Sequence, residues 1–471
     1  MSGESTLRHA GTVTWGVFLV LAFVAIFIAA GVSTTPFVLL ALLVAFMCAF
    51  RYTYFTLFFG LALTPFLGLT VSIPTGHLLF GERAFGGSID ISAAEVVLGI
   101  VLLVWAVKLL MYWFRRHDAQ WRPRLPLIGS YSALVAAHLI SGVSPLLPDP
   151  VLVAKFAFRP VLFSYLAFIA LPVNLLRSRQ RLITVLGILS AVGVFAAVTG
   201  LVSVFFPSGG AFVGRAHPLP LFGVSALGEN HNELAELLVW TSLVSIALAE
   251  LISDVRWRRL LYGAAAFQAC IVLFTFTRTG WIVLLAEAAV LCATVWRDRI
   301  RRHLRALCIT GLLLLPLAGA MAAYSVSESA SDSTSTRLML SEIAWSLFRS
   351  SPWVGAGAGS FFDRVGATHI FLQEYGAPLD SHGILQKIGA ETGAFGLLAL
   401  CAVMLHFVAL IRRGLPRITS SSSQRAFVML ATAAGGAFFY QVFNTAYWTG
   451  TLWLPIGLAL VAARVFVDQE A

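Results

Sequence analysis

Long apolar segments separated by short polar stretches dominate this chain. Each is roughly 18–25 residues long, which is enough for an α-helix to cross about 30 Å of hydrocarbon. Of the 471 residues, 59% are hydrophobic and only 11% are charged, whereas a soluble domain carries about 25% charged residues. One soluble core cannot enclose so many helices that are apolar all round. The sequence therefore predicts an all-α integral membrane protein.

The apolar segments predict about fourteen transmembrane helices, with twelve as the lower bound. They lie near residues 12–31, 36–50, 54–71, 91–113, 126–145, 151–174, 182–206, 231–252, 260–277, 280–296, 306–325, 384–411, 425–443 and 448–468. The segments 36–50 and 54–71 are short or broken by Pro65. An alternative for these two is one hairpin that does not fully cross the membrane.

Arginine-rich loops alternate with arginine-poor loops along the chain, and this bias sets orientation. With the N-terminus in the cytoplasm, the basic runs at 115–124, 177–181, 256–259, 297–305 and 412–425 all fall inside. We therefore predict cytoplasmic N- and C-termini, and a first helix that is retained because it has no small-residue cleavage site. The net charge of +10 then reflects topology rather than nucleic-acid binding.

Two loops on the outer side are long, at 207–230 and 326–382. The second is expected to be partly helical, because Leu338, Ile343 and Leu347 recur at helical spacing. It then breaks at Ser351-Pro352 and the glycine-rich stretch that follows.

Arginines on the outer side run against the orientation rule and need another explanation. Arg278 stands between two apolar segments with almost no loop. Arginine at membrane depth costs a few kcal/mol, so it usually faces a polar cavity or an anionic partner; the alternative is a helix-end arginine that reaches back to the interface. Arg215 lies on the same side. Because guanidinium forks bind phosphate oxygens in pairs, these two arginines predict a diphosphate site.

Other polar residues on the outer side could support such a site. His382 ends the second long loop and can take a proton near neutral pH. Glu391, inside the next apolar segment, can orient His382, pair with an arginine or take a proton. Lys155 and Arg159 share one helix side, where they either hold a lipid phosphate or contact headgroups. His231 opens a helix.

Metal binding is not predicted. A zinc site built from His217, His231 and His382 would match no known ligand spacing. The five cysteines lie in or beside apolar segments and have no metal-ligand spacing either. We expect no cofactor.

Four motifs follow one another in the second half of the chain. They are Thr277-Arg278-Thr279-Gly280-Trp281, then Arg337, then the run from Pro352 through Gly355, Gly357 and Gly359 to Phe361, and finally His382 followed by Gly393 and Gly396. In this order they resemble the O-antigen ligase and O-antigen polymerase superfamily of bacterial membrane glycosyltransferases. The resemblance covers roughly residues 200–410, nearly half of the chain.

The resemblance implies transfer of a glycan from an undecaprenyl diphosphate carrier to an acceptor hydroxyl, without a metal. It implies the periplasmic face of the bacterial inner membrane and a role in surface polysaccharide biosynthesis, of lipopolysaccharide or exopolysaccharide. His382 would be the base, Arg215 and Arg278 would hold the diphosphate, and Arg337 would support them. The product would have an inverted anomeric centre. Membrane lipids are further partners.

The acceptor stays open at this point. It is a second carrier-linked glycan for a polymerase, or a lipid A core or a protein for a ligase. Gly383 stands where the ligases usually have Asn, Ser or Gln, so both branches remain. We expect residues 1–120 to form N-terminal transmembrane helices and residues 121–471 to form the ligase-like core. A transporter or flippase of lipid-linked glycans is the alternative, but the unexplained charges gather at one face, which favours an enzyme.

Overall fold

The structure is a computed structural model. It describes residues 35–74, 88–115, 123–146, 150–206, 214–220, 223–228, 230–298, 301–302, 319, 328–366, 368, 380–444 and 449–468. The described chain is mostly helical, which confirms the all-α prediction. It divides into two compact units: Met1–Leu63 with Ala93–Pro123, and Thr64–Ser92 with Arg124–Ala471.

The first unit contains three described helices, α1 (Thr35–Arg51), α2 (Thr53–Leu63) and α3 (Ala93–Arg115). Residues Ala41–Arg51 and Thr53–Leu63 meet at an angle of 115°, which makes them a broken span or a re-entrant loop. At the bend, the Lys108 ammonium of α3 donates to the Phe50 carbonyl at 2.9 Å and to the Thr53 hydroxyl at 2.7 Å. A re-entrant loop would correspond to the predicted hairpin that does not fully cross, and a broken span would correspond to one bent crossing.

The predicted helical segment 54–71 is wrong over its second half. The helix ends at Leu63, two residues before Pro65, because proline lacks the amide hydrogen that a continuing helix needs. The chain then forms β1 (Thr70–Pro74), which pairs antiparallel with β2 (Ser88–Ser92), Thr70 opposite Ser92 and Pro74 opposite Ser88. Both strands alternate polar and apolar residues, a period of two that a long hydropathy window averages away.

The second unit holds the remaining described helices. They are α4 (Ile128–Ile140), α5 (Pro150–Phe156), α6 (Leu171–Leu175), α7 (Arg179–Phe205), α8 (His231–Leu251), α9 (Val255–Phe274), α10 (Arg278–Thr294), α11 (Glu328–Ser350), α12 (Ser360–Gly366), α13 (Ile384–Gly414), α14 (Ser421–Gln441) and α15 (Gly450–Asp468). Between α5 and α6 the chain is π-helical, over Ala157–Phe163 and Tyr165–Ala170. Pro160 stands inside the first of these segments, and proline is one of the usual causes of such an irregularity.

Six of the described helices are long and apolar enough to cross a membrane, or up to seven if the bent pair counts as one span. They support a multi-pass membrane protein. The count of fourteen and the orientation stay predictions. Segment 12–31 lies outside the described residues, as does 306–325 apart from residue 319.

A chain of polar side chains joins α7, α8 and α9 inside the second unit. Ser190 and Ser245 share a hydrogen bond of 2.7 Å, and Gln268 donates to Ser245 at 3.0 Å and accepts from Thr241 at 2.7 Å. A Cβ at Gly193 would lie 2.5 Å from the Gln268 oxygen, so the glycine allows the helices to approach. These bonds satisfy polar groups that would otherwise be costly in an apolar interior.

Candidate active site

The short loop between α9 and α10 lies beside the first two candidate residues, Arg215 and Arg278. Phe276 has φ of 52°, a left-handed conformation that is uncommon for a bulky residue. The Arg215 guanidinium donates from Nε to the Thr275 carbonyl at 3.2 Å and from Nη2 to the Phe276 carbonyl at 3.3 Å. Arg278 is the first residue of α10, directly after this loop. The structure therefore brings the two predicted arginines to the same end of α9 and α10.

Arg215 also helps to hold the loop between α9 and α10 in place. The segment that carries Arg215 is also attached to the end of α9, because the Ala216 amide donates to the Phe274 carbonyl at 2.9 Å. The side chain thus clamps the loop from which Arg278 begins. Loss of Arg215 should therefore disturb Arg278 as well as remove a charge.

Arg337 on α11 lies close enough to Arg278 for their charges to interact. Burial lowers the pKa of its guanidinium, and the positive charge of Arg278 lowers it further. Its Nε atom is buried and makes no hydrogen bond to the described residues. A buried N–H group without an acceptor costs free energy, unless a ligand or a water molecule accepts its hydrogen bond. A cluster of like charges with an unpaired guanidinium nitrogen is suited to an anion.

His231 opens α8 beside this cluster. It interacts electrostatically with Arg215, His217 and Arg337. The helix start is fixed by Asn230, whose side chain accepts from the Asn232 amide at 2.9 Å. His231 is therefore part of the same group of residues, and its supporting role stays a prediction.

His382 lies two residues before α13 and is half-buried. Burial lowers the pKa of its imidazole, Arg337 lowers it further, and Asp380 opposes them. The lowered pKa favours the neutral imidazole, which is the form that accepts a proton. The shared partner Arg337 also connects His382 to Arg278.

The glycine-rich stretch after α11 wraps around a break in α13. The helix is interrupted at Gly393, with φ of 64° and ψ of −157°. Amides of Ala356 and Gly357 donate to the carbonyls of Ala390 and Glu391 at 2.8 and 2.9 Å. In return, Ala394 and Phe395 donate to the carbonyls of Pro352 and Trp353 at 2.8 and 3.2 Å. The two glycine motifs of the sequence are thus halves of one backbone junction.

Close approach explains why glycine stands at this junction. A Cβ at Gly355 would lie 2.3 Å from the Glu391 carbonyl carbon, and one at Gly393 would lie 2.5 Å from the Trp353 carbonyl carbon. Both residues also have positive φ. The junction fixes the start of α13, and with it the residues before the helix.

We expect Gly355→Ala to destabilise the protein by roughly 2 kcal/mol or more, because the new methyl group meets backbone atoms at a left-handed position. The loss should appear as a lower midpoint of thermal unfolding in detergent. Gly263→Ala is the matched control, since a Cβ there on α9 would meet nothing within 4 Å. Equal midpoints for the two variants would contradict the junction.

Among the described residues, Glu391 pairs with Lys387. Its Oε1 lies 3.7 Å from the Lys387 Nζ and accepts from the Phe361 amide at 3.2 Å. Lys155 and Arg159 lie on α5 and on the π-helical segment that follows. Lys155 contacts the Phe156 ring, with Nζ 5.9 Å from the ring centre. The lipid-phosphate role of Lys155 and Arg159 stays a prediction.

Two residues near the site were missed by the sequence analysis. Lys387 is one of three lysines in a chain otherwise rich in arginine, a signal that could have singled it out. Tyr440 on α14 donates to the Asn232 carbonyl at 2.7 Å and interacts electrostatically with Arg337. Within the described residues, no group of three His, Cys, Asp or Glu side chains is arranged to hold a metal ion.

Residues 263–401 match the model of the O-antigen ligase family. This stretch contains Arg278, Arg337, the glycine junction and His382. The match confirms the predicted resemblance to the O-antigen ligase and polymerase superfamily, and it supports a glycosyltransferase-type enzyme.

Two further comparisons, with curated sequences and with solved structures, give no information about function. No curated protein sequence matches the chain. A solved structure described as "Structural coordination of polymerization and crosslinking by a peptidoglycan synthase complex" is 16% identical, with 73% of this chain and 98% of that chain covered and a TM-score of 0.42. A similarity at this level supports no conclusion about function.

Proposed function

We propose that the protein transfers an oligosaccharide or polysaccharide from undecaprenyl diphosphate to an acceptor hydroxyl, at the periplasmic face of the bacterial inner membrane. The observation that carries the proposal is the grouping of Arg215, Arg278, Arg337 and His382 at one end of the helices. The family match over residues 263–401 supports it.

The arginines act on the departing group. As the bond between the sugar's anomeric carbon and the diphosphate oxygen breaks, its electron pair moves to the diphosphate, and negative charge develops there. Guanidinium groups fixed beside that oxygen stabilise the charge as it forms. Positive charge develops on the sugar ring at the same time. No nucleotide is required, since the diphosphate linkage is already activated.

His382 acts on the acceptor. Its neutral imidazole takes the proton from the acceptor hydroxyl while that oxygen bonds to the anomeric carbon. Attack from the side opposite the diphosphate inverts the anomeric centre. The whole step needs the carrier-linked sugar, the acceptor and protein side chains, so we propose a metal-independent inverting transferase.

The pH dependence follows from the lowered pKa of His382. An imidazole with a lowered pKa keeps its neutral form to more acidic pH. The initial rate should therefore stay level from about pH 8 down to the ordinary imidazole pKa of about 6.5, and decline only at lower pH. A pH–rate profile of the purified protein checks this. A decline that begins above pH 7 would contradict it.

The decisive assay uses the purified protein in lipid vesicles with a carrier-linked oligosaccharide. We expect release of undecaprenyl diphosphate and a product with inverted linkage, without added nucleotide. Supplying either a second carrier-linked glycan or lipid A core as the acceptor separates polymerase from ligase. Movement of the intact donor across the bilayer, without release of the carrier, would instead indicate a flippase.

A further inference from the structure

A buried ion cluster lies behind His382. The Lys387 side chain on α13 is only 2% exposed, and its Nζ lies 2.7 Å from each carboxylate oxygen of Asp380. The Glu391 carboxylate lies 3.7 Å away on the next helical turn, and the Phe156 ring centre lies 5.6 Å away. An ammonium group enclosed in this way is stable only when it is paired.

The cluster links the glycine junction to the catalytic turn. At one end, the Phe361 amide donates to Glu391 at 3.2 Å. At the other, the Ser381 amide donates to Asp380 at 2.8 Å. Because Asp380 and Ser381 immediately precede His382, the turn is held on its own helix by Lys387. The turn is also confined at Gly383, where a Cβ would lie 2.6 Å from the Val442 carbonyl oxygen.

The charges that face His382 come from two directions. From α11, the positive charge of Arg337 opposes protonation of the imidazole, and Arg278 interacts in turn with Arg337. From its own turn, the negative charge of Asp380 favours protonation. Lys387 and Glu391 lie behind Asp380. Two carboxylates lie beside one ammonium, and Asp380 is the more exposed of the two.

We propose that Asp380, clamped by Lys387, is a positioning residue that orients His382 and stabilises its protonated form during transfer. This rests on the proposed function, in which His382 takes the acceptor's proton. As the hydroxyl proton moves to the imidazole, the ring becomes positive between Arg337 and Asp380. The carboxylate offsets the repulsion from the arginine at that moment.

The test compares pH–rate profiles of two charge variants with opposite expected shifts. Asp380→Asn keeps the shape of the side chain and leaves Lys387 paired with Glu391. The acid limb of its profile, the range in which the rate falls as the pH is lowered, should move to lower pH by about 0.5–1 unit. Its plateau rate should fall about tenfold, because a weaker base takes the proton more slowly. Affinity for the carrier should not change. Asp380→Glu should recover part of the rate.

The second variant, Lys387→Met with Glu391→Gln, removes the buried ammonium together with the buried carboxylate of Glu391, so that neither of these two groups is left as an unpaired charge. Asp380 then faces His382 without its counter-ion, and the acid limb should move to higher pH. Glu342→Gln on the exposed face of α11 is the matched control, and its profile should equal that of the unaltered protein.

An unchanged acid limb in both charge variants would overturn the positioning role, even if their rates fall, because a purely structural role lowers the rate at every pH alike. The proposed function fails separately, if His382→Ala retains transfer. The two results are therefore distinguishable in the same assay.

Discussion

Replacing His382 by alanine is expected to reduce glycan transfer by about 10²–10⁴-fold, the usual contribution of a general base. The imidazole is half-buried just before α13, and its lowered pKa favours the neutral form. The arginines that would hold the diphosphate are unchanged in this variant. The dissociation constant for the carrier should therefore stay within about twofold of the original value. A loss of about 1.4 kcal/mol in binding free energy would change it tenfold. Two quantities are measured, the initial rate of transfer and the affinity for the carrier.

His406→Ala is the control for the loss of a histidine. His406 lies within α13 with its Nδ1 atom 3.1 Å from the Ser130 hydroxyl, away from the turn that carries His382. Its transfer rate should stay near that of the unaltered protein. Near-normal transfer by His382→Ala, in a variant that folds and inserts, would remove the base from the mechanism.

Arg278→Ala should weaken binding of the carrier diphosphate by roughly 10–100-fold, since a hydrogen bond to a charged group contributes about 1.5–3 kcal/mol. The transfer rate should fall further than affinity does, because the guanidinium also stabilises charge that develops during bond breakage. Arg278→Lys should remain impaired, since a single ammonium cannot reproduce the two-pronged contact.

Arg349→Ala is the matched control, because Arg349 is an exposed arginine in the last turn of α11. It loses the same positive charge, so any general effect of charge on an anionic substrate appears in it too. If Arg349→Ala and Arg278→Ala weaken binding equally, the effect is long-range attraction and Arg278 does not contact the diphosphate. Affinity should be measured at two salt concentrations, since exposed charges are screened.

Much of the helix pattern could be predicted from apolar periodicity, because membrane spans must satisfy their backbone internally. The segments predicted at 91–113, 182–206 and 231–252 correspond closely to α3, α7 and α8. Candidate residues were found by a second rule, that charges at membrane depth need partners. That rule singled out Arg278, and the structure gives it Arg337 as a neighbour.

The remaining features depend on contacts between distant parts of the chain. The break at Gly393 exists because the stretch around Gly355 supplies hydrogen bonds that the helix gives up. Likewise, the sequence suggested several partners for Glu391, but only the folded chain shows that Lys387 lies between Glu391 and Asp380. Neither hydropathy nor motif spacing records which segment fills a helix break.

The most direct test asks whether His382 lies in a periplasmic site that the diphosphate fills. His382→Cys leaves the three arginines in place, and the residue can be labelled with a membrane-impermeant maleimide in intact cells, with the unaltered protein as the background for native cysteines. We predict labelling from outside, and slower labelling in vesicles with carrier diphosphate but not with carrier monophosphate. Labelling only after the membrane is opened, or labelling that the diphosphate does not slow, would contradict the site.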